Sequence, residues 1–291
     1  MAARLVEHRL ADIRLVGYSV AGEETVIAAP ELNVCFDVGR APQEIISIDN
    51  VFLTHGHMDH SAGLAYYFSQ RNFIDNAPGT VICPQPLVQP IKELMHVWTK
   101  IEGHLSPHKV IGIAAGESFE IRRGLVAKAF DVNHRVAALG FSIVDVRHKL
   151  KQEYATLTGP ELVALKKQGI AIEHQVEVPL VAYCGDTAEG AWLDLDIVRQ
   201  AKVIIMECTF FEPDHIRRAR DGYHLHVRDA ARILMKLSNE HILLHHVSRR
   251  TGIGEAKRTL SSLVSPEIME RVTFFMDYRK AAPRPHLAPG Q

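Results

Sequence analysis

Apolar and polar residues alternate along the chain with two different periods. Short apolar runs that stop at Gly, Pro, Asp or His are typical of β-strands. They occur at residues 24–39, where a proline separates two runs, and at "IDNVFLTH", "ALGFSIVDV", "VPLVAYCGD", "KVIIMEC" and "HILLHHVS". Apolar residues that recur every three or four positions predict helices at residues 87–103, "HVRDAARILMKL" and "GEAKRTLSSLV". This mixture predicts an α/β protein in which helices cover the sheets.

Four further segments complete this pattern. "GESFEIRRGLVAKAFDVNH" predicts a β-hairpin that turns at "RRG", and "SAGLAYYFSQRN" predicts a helix capped at its start by Ser61. Residues 149–173 are polar and rich in lysine, with a short helix expected at "GPELVALKKQG". The Pro-rich segment 281–291 has no apolar period and is predicted to be disordered. We therefore expect a single domain over residues 1–280 followed by a tail.

The composition narrows the class of protein. Of 291 residues, 47% are apolar and 23% charged, as in an ordinary globular protein with a substantial core. No apolar stretch approaches the roughly 18 residues that a membrane span needs, and the first residues lack the pattern of a secretory signal, so we expect a cytoplasmic protein. The net charge of −1 means that any site for a polyanion has to be a local patch. The four cysteines show no paired metal spacing, which favours buried free thiols.

The 17 histidines are unevenly distributed, and the densest group follows a predicted strand. In "THGHMDHSAGL", His55 and His57 flank Gly56, and Asp59 and His60 come directly after. A single histidine in such a loop is more often a solvated side chain than a ligand. Three imidazoles and a carboxylate within six residues favour the opposite interpretation, because these are the groups that bind transition metals.

One turn of chain cannot complete two metal shells, since each cation takes about four ligands. Other predicted strands also end in side chains that can bind a metal: His134, Asp186, and the pair His245 and His246. Each of these alone is also explained as a capping aspartate or a packed core histidine. Together they supply the missing ligands, and the Asp186 carboxylate could bridge two cations.

A second kind of chemistry is indicated by Glu207 and His224. Glu207 ends a predicted strand, and His224 stands just before a predicted helix. A carboxylate beside an imidazole orients and charges it for proton donation. A surface glutamate and a helix-capping histidine would produce the same pattern.

These segments together resemble the metallo-β-lactamase superfamily and, within it, the short form of ribonuclease Z, the tRNA 3′-end endonuclease. The resemblance spans roughly residues 14–255 and is carried by "FDVGRAP", "THGHMDHSAGL", "NHRVAALGF", "HKLKQEYATLTGPELVALKKQG", "CGDT", "ECTF", "YHLHVRDAA" and "LLHHVSRR". The Glu-x-Thr motif and the histidine before a helix are the part that points to ribonuclease Z. The resemblance implies a four-layer αββα sandwich with the site along one edge of both sheets.

The resemblance also implies a role for each residue of the site. Seven residues would bind two metal ions: His55, His57 and His134 the first, Asp59, His60 and His246 the second, and Asp186 both. His246 is preferred to its neighbour because "HVS" matches the family's His-x-Ser. Glu207 and His224 would form the proton-donating pair, and Asp59 is counted with them among the catalytic residues. A shell of nitrogen and oxygen without thiolate implies two Zn²⁺, although Mn²⁺ or Fe would also fit.

The implied reaction is hydrolysis of a tRNA precursor to a 3′-hydroxyl and a trailer with a 5′-phosphate. Arg249 and Arg250 would hold flanking phosphates, and family members are often homodimers. The basic segment 147–178 is either a reduced arm that grips tRNA or a solvated helix face. Two other functions fit the same pattern: a dinuclear hydrolase of a small phosphodiester or lactone, and an inactive, metal-stabilised RNA-binding protein.

Overall fold

Residues 5–278 are described by the computed structural model of the chain, and within them the strands form two sheets of seven. The first sheet contains β1 (Val6–Leu10), β2 (Ile13–Val20), β3 (Glu24–Ala29), β4 (Val34–Phe36), β5 (Asn50–Phe52), β6 (Thr80–Pro84) and β7 (Lys109–Ile113), side by side in that order. Its first four strands pair antiparallel, and β4 to β7 pair parallel. The parallel half supplies strand ends that meet at one edge.

The second sheet repeats this plan. It contains β8 (Ser118–Arg122), β9 (Leu125–Asp131), β10 (Leu139–Leu150), β11 (Glu173–Tyr183), β12 (Val203–Glu207), β13 (His241–His245) and β14 (Val272–Phe274). Neighbours from β8 to β11 pair antiparallel, and β11 to β14 pair parallel. The hairpin predicted around "RRG" is confirmed, with Gly124 at a φ of 78° in the turn between β8 and β9.

Helices cover the outer face of each sheet. The helices of the described residues are α1 (Met58–Ser61), α2 (Leu64–Phe73), α3 (Val88–Glu102), α4 (Gly159–Lys167), α5 (Asp196–Arg199), α6 (Ile216–Gly222), α7 (Val227–Lys236), α8 (Ile253–Ser261) and α9 (Pro266–Arg271), and six of them cover the sheets. Helices α2 and α3 pack with the first sheet, and α5, α7, α8 and α9 pack on the second. The predicted αββα sandwich is therefore confirmed.

The alternation of side chains along β12 shows how the layers are held. Val203 and Ile205 belong to the core between the two sheets, whereas Ile204 and Met206 belong to the core under the helices of the second sheet. Successive side chains of a strand point to opposite faces, so a strand covered on both faces is apolar throughout. This is why β12 has no polar residue before Glu207.

The predicted cap at Ser61 is wrong. Ser61 is the last residue of the short helix α1, and its hydroxyl donates to the carbonyl of His57 at 2.9 Å. Helix α2 begins after Gly63, where a Cβ would lie 2.4 Å from the Ala41 nitrogen. Close backbone packing, not a side-chain cap, sets the start of this helix.

The segment 147–178 is more regular than its polar sequence indicates. Strand β10 continues to Leu150 and β11 starts at Glu173, so that Arg147 pairs with Val176 and Lys149 with His174. Helix α4, predicted from "GPELVALKKQG", caps this two-stranded ribbon. The distal parts of β10 and β11 were not predicted from the sequence. Backbone pairing holds them together and both of their faces are largely exposed, so their residues show no apolar period.

Two predictions remain, one about the segment 281–291 and one about membrane-spanning helices. The segment 281–291, which the sequence predicts to be disordered, lies outside the described residues. Between residues 5 and 278, none of the helices has both the length and the apolar character that a membrane crossing requires.

Candidate metal centre

The polar residues predicted at strand ends meet at one edge of the sandwich. The loop after β5 carries His55 and His57, and α1 carries Asp59 and His60. The second sheet contributes His134 after β9, Asp186 after β11 and His246 after β13. Both sheets end their central strands at this edge, so residues almost 200 positions apart come together.

Three histidines and one carboxylate form the first group. His55 Nε2 lies 3.0 Å from His57 Nδ1, and His134 Nε2 lies 3.3 Å from the same His57 atom. Asp186 Oδ2 is 3.8 Å from His55 Nε2. The ligand atoms of these four residues all lie within 4.8 Å of one another, which is the spacing of donors around a common cation.

Asp59, His60 and His246 form the second group. His246 Nε2 is 3.4 Å from Asp59 Oδ2, and His60 Nε2 is 3.8 Å from the same oxygen. Asp186 Oδ2 lies 3.3 Å from both His60 Nε2 and His246 Nε2. Asp186 therefore touches both groups, the position that the sequence predicted for a bridging carboxylate.

Two buried atoms of the cluster lack a hydrogen-bond partner among the described residues: His60 Nε2 and Asp186 Oδ1. A buried polar atom without a partner is costly, and such atoms at a cluster of ligands fit a bound cation. The donor set of five imidazoles and two carboxylates fits a divalent transition metal for the same reason. The residues of the cluster therefore fit a bound divalent transition metal.

Hydrogen bonds on the far side of each ring orient the imidazoles. The His60 Nδ1–H donates to Asp37 Oδ2 at 2.8 Å, and the His55 Nδ1–H donates to Thr54 Oγ1 at 3.0 Å. The Thr54 hydroxyl in turn donates to Asp37, and the Tyr183 hydroxyl donates to Asp37 Oδ2 at 2.7 Å. Both rings therefore turn Nε2, the atom available to a metal, toward the cluster.

Burial and charge act in opposite directions on these groups. Burial and the neighbouring His60 hold the pKa of His55 well below its ordinary value, so this ring is neutral. Burial would raise the pKa of Asp186, but His246 and His60 outweigh it and hold the pKa well below the usual range. Neutral imidazoles and ionised carboxylates are the forms that bind metals.

The histidine pair at the end of β13 divides between two roles. His245 is buried between the sheets, where its Nδ1 lies 3.1 Å from Ser19 Oγ and its ring 5.2 Å from the ring of Tyr183. His246 has a φ of 59°, and this left-handed conformation turns its side chain into the cluster. The structure therefore brings His246, and not His245, to the other ligands.

Glu207 and His224 lie beside the cluster and contact each other. The His224 Nδ1–H donates to Glu207 Oε1 at 2.8 Å, and Glu207 also accepts from the main-chain nitrogens of Thr187 and Leu225. Burial lowers the pKa of His224, but the Glu207 carboxylate outweighs it and raises the pKa to about 9. His224 is thus a cationic acid whose Nδ1 is taken by its carboxylate partner.

Thr209 connects this pair to the metal cluster. Its hydroxyl donates to Glu207 Oε2, and the His246 Nδ1–H donates to the same hydroxyl oxygen at 2.9 Å. One buried carboxylate thereby orients both His224 and, through Thr209, His246.

A cavity of about 490 Å³ opens onto these groups. It is lined by residues of the cluster and by others at its mouth, among them Gly22, His57, Asp59, Asp186, Phe210, Arg218, His224, His246, Arg249 and Arg250. The Gly22 N–H donates to Asp59 Oδ2 at 2.8 Å, so the turn between β2 and β3 closes one side. Of the predicted phosphate ligands, Arg249 is paired with Glu23, whereas Arg250 has no carboxylate partner among residues 5–278.

Several residues of the site were missed from the sequence. Asp37 stands after a buried strand in "FDVG", and this position was the available signal. Thr54 and Tyr183 gave none, because a threonine or tyrosine at a strand end is common, and Thr209 stands in the Glu-x-Thr motif but was given no role of its own. Arg218 stands in the basic segment "HIRRAR" shortly before His224, and this run of positive charge was the available signal.

The chain is similar to known proteins in sequence and in fold. Residues 25–247 match the β-lactamase superfamily domain. The chain is 35% identical to tRNase Z TRZ1 of Arabidopsis thaliana over 86% of this chain and 90% of that one, and 31% identical to the chloroplastic tRNase Z TRZ2 of the same plant over 86% and 71%. The crystal structure of the human short-form tRNase Z superposes with a TM-score of 0.58 at 16% identity, over 88% of this chain and 95% of that chain. All the predicted metal ligands lie inside the matched range.

Proposed function

Since the chain belongs to the ribonuclease Z family of the β-lactamase superfamily, we propose that it is a metal-dependent endoribonuclease acting on tRNA precursors. It hydrolyses the phosphodiester at the 3′ side of the tRNA and leaves a 3′-hydroxyl and a trailer with a 5′-phosphate. The observation that carries this proposal is the Glu207–His224 pair next to the metal cluster. A cluster alone fits any hydrolase of the superfamily, whereas an acid beside it fits the expulsion of an alkoxide from a phosphodiester.

The proposed cofactor is a pair of zinc ions. His55, His57 and His134 would hold one ion and Asp59, His60 and His246 the other, with Asp186 shared. When bound, two divalent cations supply an activated water and neutralise charge on the phosphoryl oxygens. Asp186→Ala and His57→Ala should each lower the zinc content measured by elemental analysis. Unchanged zinc in both variants would contradict this ligand assignment.

His224 supplies the proton for the leaving group. Glu207 fixes its Nδ1 and raises its pKa to about 9, so the ring is protonated at neutral pH. The 3′ oxygen departs as an alcohol when His224 gives it a proton from the ring edge opposite Glu207. A positioned acid of this kind is typically worth about 10²–10⁴ in rate. Burial of Glu207 and its three further hydrogen bonds keep the acid in one orientation.

The test is incubation of metal-analysed protein with a tRNA carrying a 3′ trailer, with mapping of the cut. We expect one cleavage at the 3′ side of the tRNA, and in His224→Ala we expect retained zinc and lost cleavage. Faster turnover of bis(p-nitrophenyl) phosphate or a lactone than of the precursor would favour the small-molecule hydrolase. Zinc-loaded protein that binds tRNA without cutting it would favour the RNA-binding alternative.

The ribbon at residues 147–178 is proposed as the arm that grips tRNA. Lys149, Lys151, Lys166 and Lys167 are carried on it, and Arg147 stands at its base. Lys166 is paired with Glu173 and Arg147 with Asp145, so part of this charge is already neutralised. The exposed remainder fits contacts with the phosphate backbone rather than with bases.

A homodimer is proposed through an apolar face of α3. Leu94, Val97, Trp98 and Ile101 recur at helical spacing and are all more than a third exposed. An antiparallel pairing of α3 with its copy brings Lys92 opposite Glu102 and Glu93 opposite Lys100, so unlike charges flank the stripe. Light scattering should give twice the mass of the chain, and Ile101→Glu should halve it. A wild-type monomer at micromolar concentration would contradict this proposal.

The cytoplasmic location stays a prediction.

A further inference from the structure

We propose that Arg218 forms a phosphate subsite on the His224 side of the cavity, and that it binds the RNA phosphate one nucleotide upstream of the cleaved bond. This inference rests on the proposed function, because only a polynucleotide substrate carries a second phosphate there. Arg218 lies on α6 and lines the cavity together with His224, Asp186 and His246.

The position of Arg218 is tied to that of the acid. The residue after it, Ala219, is buried and accepts a 2.9 Å hydrogen bond from the His224 main-chain nitrogen. The Arg218 guanidinium carbon lies 5.7 Å from the centre of the Phe210 ring, and that ring lies 6.0 Å from the ring of His224. Phe210 is itself buried, so a fixed aromatic surface supports the guanidinium beside the acid.

Arg218 also differs from Arg217 and Arg249 in its ion pairing. Arg217 pairs with Asp221 at 3.5 Å, and Arg249 pairs with Glu23. In the part of the chain from 5 to 278, no carboxylate lies within ion-pairing distance of Arg218. Its charge is therefore available to a ligand, as is that of Arg250, whereas Arg249, the other cation predicted from the sequence, already has a partner.

The direction of the substrate follows from the role of His224. This residue protonates the 3′ oxygen of the last nucleotide of the tRNA, so that nucleotide lies on the His224 side of the cavity. Its own 5′ phosphate is the nearest anion in that direction. A guanidinium offers paired N–H donors that match two phosphate oxygens, which suits Arg218 to this phosphate.

The experiment compares Arg218→Ala with Arg217→Ala, a matched variant of the same helix whose side chain is 93% exposed. Two substrates are used: a tRNA precursor with a 3′ trailer, and bis(p-nitrophenyl) phosphate, which has a single phosphate. In Arg218→Ala we expect the ratio of kcat/KM for the precursor to that for the small diester to fall about tenfold or more. The loss should come mainly from KM, and the slope of log kcat/KM against log salt should become shallower by about one.

The controls separate binding from folding. Arg218→Lys should recover part of the loss, Arg217→Ala should keep the wild-type ratio, and the melting temperature and zinc content of Arg218→Ala should match the wild type. An equal loss on both substrates, or the same loss in Arg217→Ala, would overturn the subsite. A wild type that hydrolyses the small diester but never cuts the precursor would refute the proposed function itself, and the subsite with it.

Discussion

At the residue scale, the chemistry of each imidazole is set by the group behind it. Asp37 accepts from His60, Thr54 and Tyr183, and thereby orients one predicted ligand directly and a second, His55, through Thr54. Glu207 does the same for His224 and His246. Two carboxylates outside the ligand set thus define the geometry of four histidines.

Asp37→Asn should weaken metal binding without removing any ligand. The amide cannot accept all the hydrogen bonds that converge on the carboxylate, so His60 and His55 lose their orientation. We expect about a 10–100-fold lower zinc affinity in a titration against a chromophoric chelator. Asp145→Asn, which changes a half-buried carboxylate of β10 that pairs with Arg147 and not with a histidine, is the control. Equal affinity of Asp37→Asn and wild type would show that the ligands hold themselves in place.

Glu207→Gln should move the alkaline limb of the pH–rate profile. The carboxylate raises the pKa of His224 to about 9, so the wild-type acid stays protonated until the pH approaches that value. Without the negative charge the pKa falls, the proton is lost at lower pH, and the limb should move down by at least about one unit. The measurement is kcat/KM for the precursor from pH 6 to about 10. A limb at the wild-type pH would mean that another group supplies the proton.

At the element scale, the long ribbon of β10 and β11 reaches away from the sandwich and ends in α4. Near its tip the Lys151 main-chain nitrogen donates to the Ile172 carbonyl at 2.9 Å, so the strands remain joined up to that point. The ribbon can therefore be shortened there without disturbing the paired strands below.

Replacing residues 152–170 by a short Asn-Gly turn tests this element. The cluster lies at the other end of these strands, so zinc content and turnover of bis(p-nitrophenyl) phosphate should change little. The kcat/KM for a tRNA precursor should fall about tenfold or more, with a weaker dependence on salt, because phosphate contacts are lost. Wild-type cleavage of the precursor by the shortened protein would assign α4 to the solvated face that the sequence also allowed.

At the scale of the whole molecule, the metal cluster joins the two sheets. His55, His57, Asp59 and His60 all follow β5 of the first sheet, and His134, Asp186 and His246 follow three strands of the second. Cations bound between them interact with the folded sandwich and not with the unfolded chain. Metal binding and global stability should therefore be linked.

Removal of metal by a chelator should lower the melting temperature measured by calorimetry. A ligand present at 1,000 times its Kd stabilises by about 4 kcal/mol. At about 2.1 cal/mol/K of unfolding entropy per residue, this corresponds to roughly 6–7 °C for a chain of 291 residues. In Asp186→Ala, which removes the carboxylate shared by both groups, the gap between zinc-loaded and chelated protein should be much smaller. Equal melting temperatures of the two wild-type forms would mean that the cluster is formed and stable without cations.

The sequence by itself determined the layered α/β fold, the run from His55 to His60 and the strand ends that complete the cluster. Those features depend on short-range periodicity and on the rule that parallel strands end at a common edge. Only the tertiary structure decided that His246 and not His245 faces the cluster, that Asp37 supports two ligands, and that Glu23 neutralises Arg249 while Arg218 keeps its charge. Each of these depends on contacts between residues distant in the chain or on the direction of a single side chain, and no local pattern of residues encodes either.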